Sequence, residues 1–361
     1  MKKNSTGMII LEKNLFNWLD GLRDRFIILG PVPDKKGETI FKPVSDAFSI
    51  RLDYQSTMQS PARIIYPSRQ TICEIDRKSL QTTAADDRRK RIIFGLHPCD
   101  MHAISILDRT LSWETQDFYY KQTRENTITV VLNCNLACKK KYPAFTHQGF
   151  CSSMGTGPFL KKKAGSDIEL TLLSGSEESE SLYLMEFRSE TGLELASGIR
   201  RAEKAGAADQ KAKLRLEKKA LSTFSKKLDI DGLAELLKNY LDHKVYKNTA
   251  DARCLSCTNC TMVCPTCFCY NIEECTGMDL KKTTRIRHWD SCLELNFAKV
   301  HGFNFRDSRS ARLRQFVTHK LSSWVEQFGC FGCVGCGRCM TWCPTHIDLT
   351  EIVAEIRRDD E

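Results

Sequence analysis

The sequence predicts an α+β protein in three consecutive parts: an N-terminal α/β domain over residues 1–195, a helical connector over 196–245 and a helix-rich domain over 246–361. Three observations support this reading. Short β-branched runs alternate with helical periodicity in the first half. The middle of the chain is charged, Ala-rich and helically spaced. The last third holds two cysteine runs of identical spacing, separated by an insert with helical patterning. At 361 residues the chain has length for two or three domains and a large core. Its 41% hydrophobic and 27% charged residues are those of an ordinary globular protein, which excludes a fibrous or disordered chain.

Taken in order, apolar positions 8, 11, 15, 18 and 22 predict a helix over residues 8–23 with one buried stripe. Phe26–Leu29 is an apolar strand stopped by Gly30-Pro31. Thr39–Phe41, Arg63–Tyr66 and Thr71–Ile75 read as further short extended pieces. Arg91–Leu96 is a buried strand, and His97-Pro98-Cys99-Asp100 is the turn that ends it. A helix over Met101–Leu111 follows, with Asp100 as its N-cap. Asp117–Glu125 is helical and Thr127–Leu132 is another β-branched strand. Ile168–Leu173 and Leu182–Phe187 alternate as two strands around the polar turn Gly175–Ser181. Residues 196–227 and the amphipathic stretch Asp231–His243 form the connector.

The cysteine runs are Cys254-x2-Cys257-x2-Cys260-x3-Cys264-Pro265 and Cys333-x2-Cys336-x2-Cys339-x3-Cys343-Pro344. This is the ligand spacing of two-cluster bacterial ferredoxins. Three thiolates at steps of three wrap three corners of one cubane, and the fourth, before proline, is free to reach the other. The expected assignment is therefore crossed: Cys254, Cys257, Cys260 and Cys343 hold one [4Fe–4S] cluster, and Cys333, Cys336, Cys339 and Cys264 the second. Paired CxxC units also occur in zinc sites, and paired cysteines in secreted proteins form disulfides. Neither of these needs the third evenly spaced cysteine or the Cys-Pro. Between the runs lie 68 residues, 265–332. Within them Ser310–Phe328 places Leu313, Phe316, Val317, Leu321, Trp324 and Val325 on one helical face. The C-terminal part is thus expected to be a helix-rich, α-helical ferredoxin-like two-cluster 4Fe-4S domain. Gly332, Gly335 and Gly337 would let backbone N–H groups approach the second cluster.

Eighteen cysteines, crowded into the last third, together with no signal-peptide core and no apolar run of membrane-spanning length, imply a reducing cytoplasm. The net charge of +9 is concentrated. Between Arg200 and Lys227 there are ten Lys or Arg against three acidic residues, Glu203, Asp209 and Glu217. Phe224 is the lone aromatic there, so a solvated helix face or a docking surface for an acidic electron-transfer partner is favoured over nucleic acid. Ten cysteines remain outside the runs. Cys73 reads as core; some of Cys99, Cys134, Cys138, Cys151, Cys267, Cys269, Cys275, Cys292 and Cys330 are candidates for a further cluster or metal ion. There is no G-x-G-x-x-G after a predicted strand, no phosphate loop, no H-E-x-x-H and no Ser–His–Asp pattern. His288, His319 and His346 near the runs read as supporting residues. No catalytic residue is assigned.

Three segments carry a resemblance: His97-Pro-Cys-Asp-Met-His-Ala-Ile104, Phe150-Cys-Ser-Ser-Met-Gly-Thr-Gly-Pro158, and Cys264-Pro-Thr-Cys-Phe-Cys269 through Trp289-Asp-Ser-Cys292 to the last Cys-Pro. Together they resemble the iron–sulfur (beta) subunits of cytoplasmic sulfhydrogenases. They are also similar to the iron–sulfur subunit of anaerobic sulfite reductase and to the dicluster subunits linked to heterodisulfide reductases. The chain departs from the family at two places: His97 stands where the family usually has Arg, and Gly149 where it usually has the first cysteine of Cys-Phe-Cys. Cys134 and Cys138 are candidates to compensate. The resemblance implies an electron-transfer subunit without catalysis of its own. It would relay electrons between a flavoprotein NAD(P)H reductase subunit bearing FAD and [2Fe–2S] and a catalytic hydrogenase or reductase subunit. Two alternatives are an enzyme with a substrate or flavin site in the α/β domain that uses Cys99 or Cys151, and a nucleic-acid-binding protein using the basic helix.

Overall fold

The β-branched runs of the first half become the strands of one eight-stranded sheet. The computed structural model describes residues 7–141, 146–161, 164–176 and 179–360. The chain opens with strand β1 (Gly7–Leu11) and helix α1 (Glu12–Asp20), where a single helix over 8–23 was expected. Met8-Ile-Ile-Leu11 fits either period, and its antiparallel pairing with residues 182–185 decides it. Next come β2 (Ile27–Pro33) and β3 (Thr39–Pro43). Arg63–Tyr66 is not extended: Ser60 and Pro61 start a 3-10 turn over Pro61–Ile64, with the Ser60 hydroxyl accepting from the Ala62 N–H at 3.2 Å. Then follow β4 (Arg69–Asp76), β5 (Thr82–Ala84), β6 (Arg91–Leu96), α2 (Pro98–Thr110), α3 (Phe118–Glu125) and β7 (Thr127–Leu132). A small hairpin, β8 (Lys139–Lys141) and β9 (Thr146–Gln148), precedes β10 (Ile168–Ser176) and β11 (Ser179–Phe187). Residues 177 and 178, in the turn expected between these two, lie outside the described residues.

The strand order is β12-β1-β11-β10-β7-β6-β2-β3, where β12 is Glu203–Lys204. The inner four strands, β2, β6, β7 and β10, run parallel, and antiparallel strands flank them. Residues alternate across β6 and β7 with the strand period of two. Ile92, Phe94 and Val130 join Leu15, Phe16, Trp18 and Leu19 of α1 in one core, while Ile93, Leu96 and Val131 join Met101, Ile104, Leu107 and Tyr120 in another. Both faces are covered, as a parallel sheet requires. At the end of β6 the register slips around Gly95, whose φ is +85°. The chain then enters α2 directly at Pro98, three residues before the expected start. Asp100 is therefore no N-cap; it lies inside the first turn with its carboxylate turned into the protein.

After α4 (Glu190–Ala196), the basic helix α5 (Ala207–Ser222) packs on the sheet. Lys213 is inserted between the buried carboxylates of Glu169 and Glu186, so this part of the charge run is structural rather than solvated. Helices α6 (Leu233–Asn239) and α7 (Lys244–Ala252) lead to the first cysteine run and its one-turn helix α8 (Asn259–Met262). The insert starts with an antiparallel hairpin, β13 (Tyr270–Thr276) and β14 (Lys282–Trp289), which the helical expectation missed. β14 pairs with β4, giving a second sheet of order β13-β14-β4-β5. The expected helix follows as α9 (Arg309–Thr318), a π turn over His319–Ser323 and α10 (Trp324–Phe328). Leu313, Phe316, Val317, Leu321 and Trp324 are buried and Val325 is half-buried. The second run carries α11 (Arg338–Thr341), and α12 (Leu349–Asp360) closes the domain over Leu233, Leu237, Val245 and Tyr246. The fold is α+β. Among the described residues no helix is long and apolar enough to cross a membrane.

Candidate metal centre

The two cysteine runs fold alike. Ser256 and Thr258 take left-handed backbone, φ +50° and +65°, and so do their counterparts Gly335 and Gly337, φ +62° and +77°. A left-handed residue between successive cysteines reverses the chain so that all three side chains face one point. A one-turn helix follows in each run, carrying Cys260 or Cys339, and then Cys-Pro-Thr. The Thr266 hydroxyl lies 3.3 Å from the Cys264 sulfur, and the Thr345 hydroxyl 3.5 Å from that of Cys343. The helices α8 and α11 touch, and the Asn259 amide donates to the Trp342 carbonyl. Holding serine and threonine at positive φ costs on the order of 1–3 kcal/mol each, a strain typical of sites where the surroundings fix the geometry.

Cys343 sits with the first three cysteines of the first run, and Cys264 acts electrostatically on those of the second. Cys254, Cys257, Cys260 and Cys343 line one cavity, walled by Leu293, Leu313, Phe316, Val317 and Ile352 and reached also by Cys339. Burial raises the Cys260 thiol well above its ordinary range, and the strongest charge effect adding to this is that of Cys343, ahead of Cys292, Cys254 and Cys257. In the second group burial pushes Cys333 up to about 12, the Gly335 N–H offsets part of this, and Cys336 and Cys264 add to it. Cys339 is raised by burial and then by Cys333, Cys336 and Cys264. Cys264 goes the other way: the neighbouring Cys267 thiol and then the Lys320 ammonium favour its thiolate. Among the described residues no three His, Cys, Asp or Glu side chains are gathered as ligands of a single ion would be. Two four-thiol groups, the first in apolar surroundings and the second with the Lys320 and Arg338 cations beside it, suit a cubane, whose corners keep its ligands apart. Such a centre deprotonates thiols that burial alone keeps neutral.

Several residues at this centre had no sequence signal. Arg338, between Gly337 and Cys339, is fully buried and makes a two-pronged bond to Asp100 of α2 at 2.8 and 3.1 Å. Arg63 from the 3-10 turn donates to the carbonyls of Cys267 (2.8 Å) and Cys264 (2.6 Å) and stacks on Trp289 at 3.5 Å. Lys320, in the π turn, donates to the Thr266 hydroxyl at 2.8 Å and lies 4.6 Å from the Trp324 ring. Burial works against its charge, and the thiolates of Cys264, Cys267, Cys333 and Cys269 outweigh it. His319 supports this wall through its Nε2, which accepts from the Trp324 indole at 2.7 Å. Of the glycines, Gly335 donates its N–H to the Cys333 sulfur at 3.3 Å, as expected. Gly332 serves packing instead, since a Cβ there would lie 2.4 Å from the Trp324 ring. Cys73 is buried on β4, Cys275 lies on β13 and Cys330 beside Arg109, all outside the two groups.

Residues 253–347 match the family model of the 4Fe-4S dicluster domain. Over 323 residues the chain is 31% identical to sulfhydrogenase 2 subunit beta of Pyrococcus furiosus, a match covering 88% of each chain. The chain belongs to the sulfhydrogenase beta-subunit family. It is an iron–sulfur protein of the 4Fe-4S class, and its chemistry is electron transfer within an oxidoreductase.

Proposed function

We propose that this protein is the iron–sulfur relay subunit of a soluble, cytoplasmic, anaerobic oxidoreductase complex. It holds two [4Fe–4S] clusters, one at Cys254, Cys257, Cys260 and Cys343 and one at Cys333, Cys336, Cys339 and Cys264. Electrons pass between a flavoprotein NAD(P)H reductase subunit with FAD and [2Fe–2S] and a catalytic hydrogenase, or a sulfur, sulfite or heterodisulfide reductase. The observation that supports this most strongly is that Cys343, the last cysteine of the second run, lines one cavity with Cys254, Cys257 and Cys260 of the first.

When bound, such clusters supply one-electron redox chemistry at potentials set by charge, burial and hydrogen bonds to sulfur. The chain's own residues set those terms. The apolar wall of Leu293, Leu313, Phe316, Val317 and Ile352 lowers the polarity on the inner side of the first group, while Cys257 faces solvent. Lys320 and Arg338 bring two buried cations to the second. The exchanged cysteines fix the two groups at one separation, which is what a relay needs. The α/β domain docks on the second run through Asp100 and Arg338, and binds the partner proteins on its outer surface.

Anaerobic reduction tests the relay. NAD(P)H should bleach the visible absorbance of the chain only when a flavoprotein reductase is added. Bleaching without it, or flavin bound to the isolated chain, would overturn this reading in favour of an enzyme complete in itself.

A further inference from the structure

Four of the remaining cysteines converge at the carboxyl ends of the parallel strands. Cys99 lies in the first turn of the 13-residue helix α2, directly after β6. Cys134 and Cys138 lie in the loop that follows β7. Cys151 comes from the segment held against the second cysteine run by the Phe150 N–H, which donates to the Gly335 carbonyl at 2.7 Å. Gly157 covers this cysteine so closely that a Cβ there would lie 2.7 Å from its sulfur. Cys134, Cys138 and His97 line the same cavity, and the Cys138 thiol donates to the Gln55 carbonyl at 2.8 Å. Cys151 packs against Cys99 in one small cluster with Val334, and both cysteines act electrostatically on Cys134. Tyr54 and Gln55 also line the cavity. The Tyr54 ring is stacked on His97 with centroids 4.1 Å apart.

We propose that Cys99, Cys134, Cys138 and Cys151 are the ligand set of a third iron–sulfur cluster, seated where an open α/β sheet ordinarily binds its ligands. Buried cysteines are commonly small core hydrophobes. That does not explain four of them brought near one another from three separate segments, Cys151 packed against Cys99, and Cys134 with Cys138 lining the adjoining cavity. The amino end of α2 favours a negatively charged centre at Cys99. A single ion is disfavoured, because among the described residues no three such side chains are gathered as ligands of one ion would be. Cys99 and Cys151 also lie within electrostatic reach of Cys336. The third centre therefore neighbours the second group and extends the relay from the C-terminal pair into the α/β domain. The inference adds to the two-cluster reading, yet its ligands are separate from those eight cysteines.

Iron and acid-labile sulfide per chain test it, with electron paramagnetic resonance of the reduced full-length protein purified anaerobically. About twelve irons are expected in the unaltered chain, falling to about eight in Cys134→Ser/Cys151→Ser with the signals of the two C-terminal clusters retained. Cys138→Ser alone, at the cavity edge, gives the same loss if the double variant does not fold. About eight irons in the unaltered chain would overturn the third site and leave the two-cluster reading standing. An unaltered chain holding only about four irons, all lost in the Cys134 and Cys151 variant, would do the reverse. Unchanged iron in every one of these variants, or loss in Cys267→Ser/Cys269→Ser instead, would also overturn the third site.

Discussion

Lys320 brings a positive charge into a space walled by thiols, and among the described residues no carboxylate bonds it. A cation this deep is retained only where negative charge offsets the loss of water, and the cluster proposed at Cys264 and Cys333 would supply that charge. Removing the ammonium should favour the less negative, oxidised state. Lys320→Met is expected to lower the midpoint potential of one cluster by on the order of 100 mV, the effect of one unit charge a few ångströms away in a protein interior. A redox titration followed by electron paramagnetic resonance reads this, and equal shifts in both clusters would contradict the placement. Arg338 is the second such residue, but it has a partner. Its side chain is 1% exposed and that of Asp100 0%. The Ser60 hydroxyl and the Thr57 carbonyl complete the network at 2.5 and 2.8 Å. Asp100→Ala leaves a buried guanidinium unpaired and should cost about 3–5 kcal/mol in denaturant unfolding. Asp100→Ala and Arg338→Met together should cost clearly less than the sum of the two single changes.

At the scale of elements, the left-handed positions of the cysteine runs are the points of least tolerance. A Cβ at Gly335 would fall 2.7 Å from the backbone of Phe150 and Cys151, in addition to its φ of +62°. Gly329 ends α10 at a similar φ of +66°, with only the Arg109 guanidinium near, at 3.9 Å. Gly335→Ala should therefore destabilise by about 2–4 kcal/mol and Gly329→Ala by only about 1–2 kcal/mol, as thermal or denaturant unfolding will show. The runs were legible in the sequence because cluster ligation demands fixed spacing, and the strands β6 and β7 because a doubly covered strand is apolar throughout. The elements misread have local patterns that fit two answers. Met8–Leu11 suits a helix until β11 is present to pair with it. The hairpin β13–β14 is anchored by β4, with Lys282 opposite Asp76 and His288 opposite Arg69, a partnership across some 200 residues that no local window contains. The same holds within the centre: the eight cysteines were read from spacing, whereas Arg63, Asp100 and Lys320 gain their roles only when distant segments meet.

At the scale of the whole molecule, the parts expected in succession are joined at several levels. β4 and β5 from the first half share a sheet with the hairpin from the insert. Arg63 and Asp100 of the first half grip the carbonyls and the arginine of the two cysteine runs. The α/β domain thus sets the surroundings of the clusters, which suits a fixed relay within a complex better than a freely diffusing carrier. The central claim is that the two runs exchange their last cysteines, and a single variant addresses it. Cys343→Ala, purified anaerobically and examined by iron analysis and electron paramagnetic resonance, should lose or damage the cluster held by Cys254, Cys257 and Cys260 while the signal of the other persists. Selective loss of the cluster at Cys333, Cys336 and Cys339, with the first intact, would contradict it.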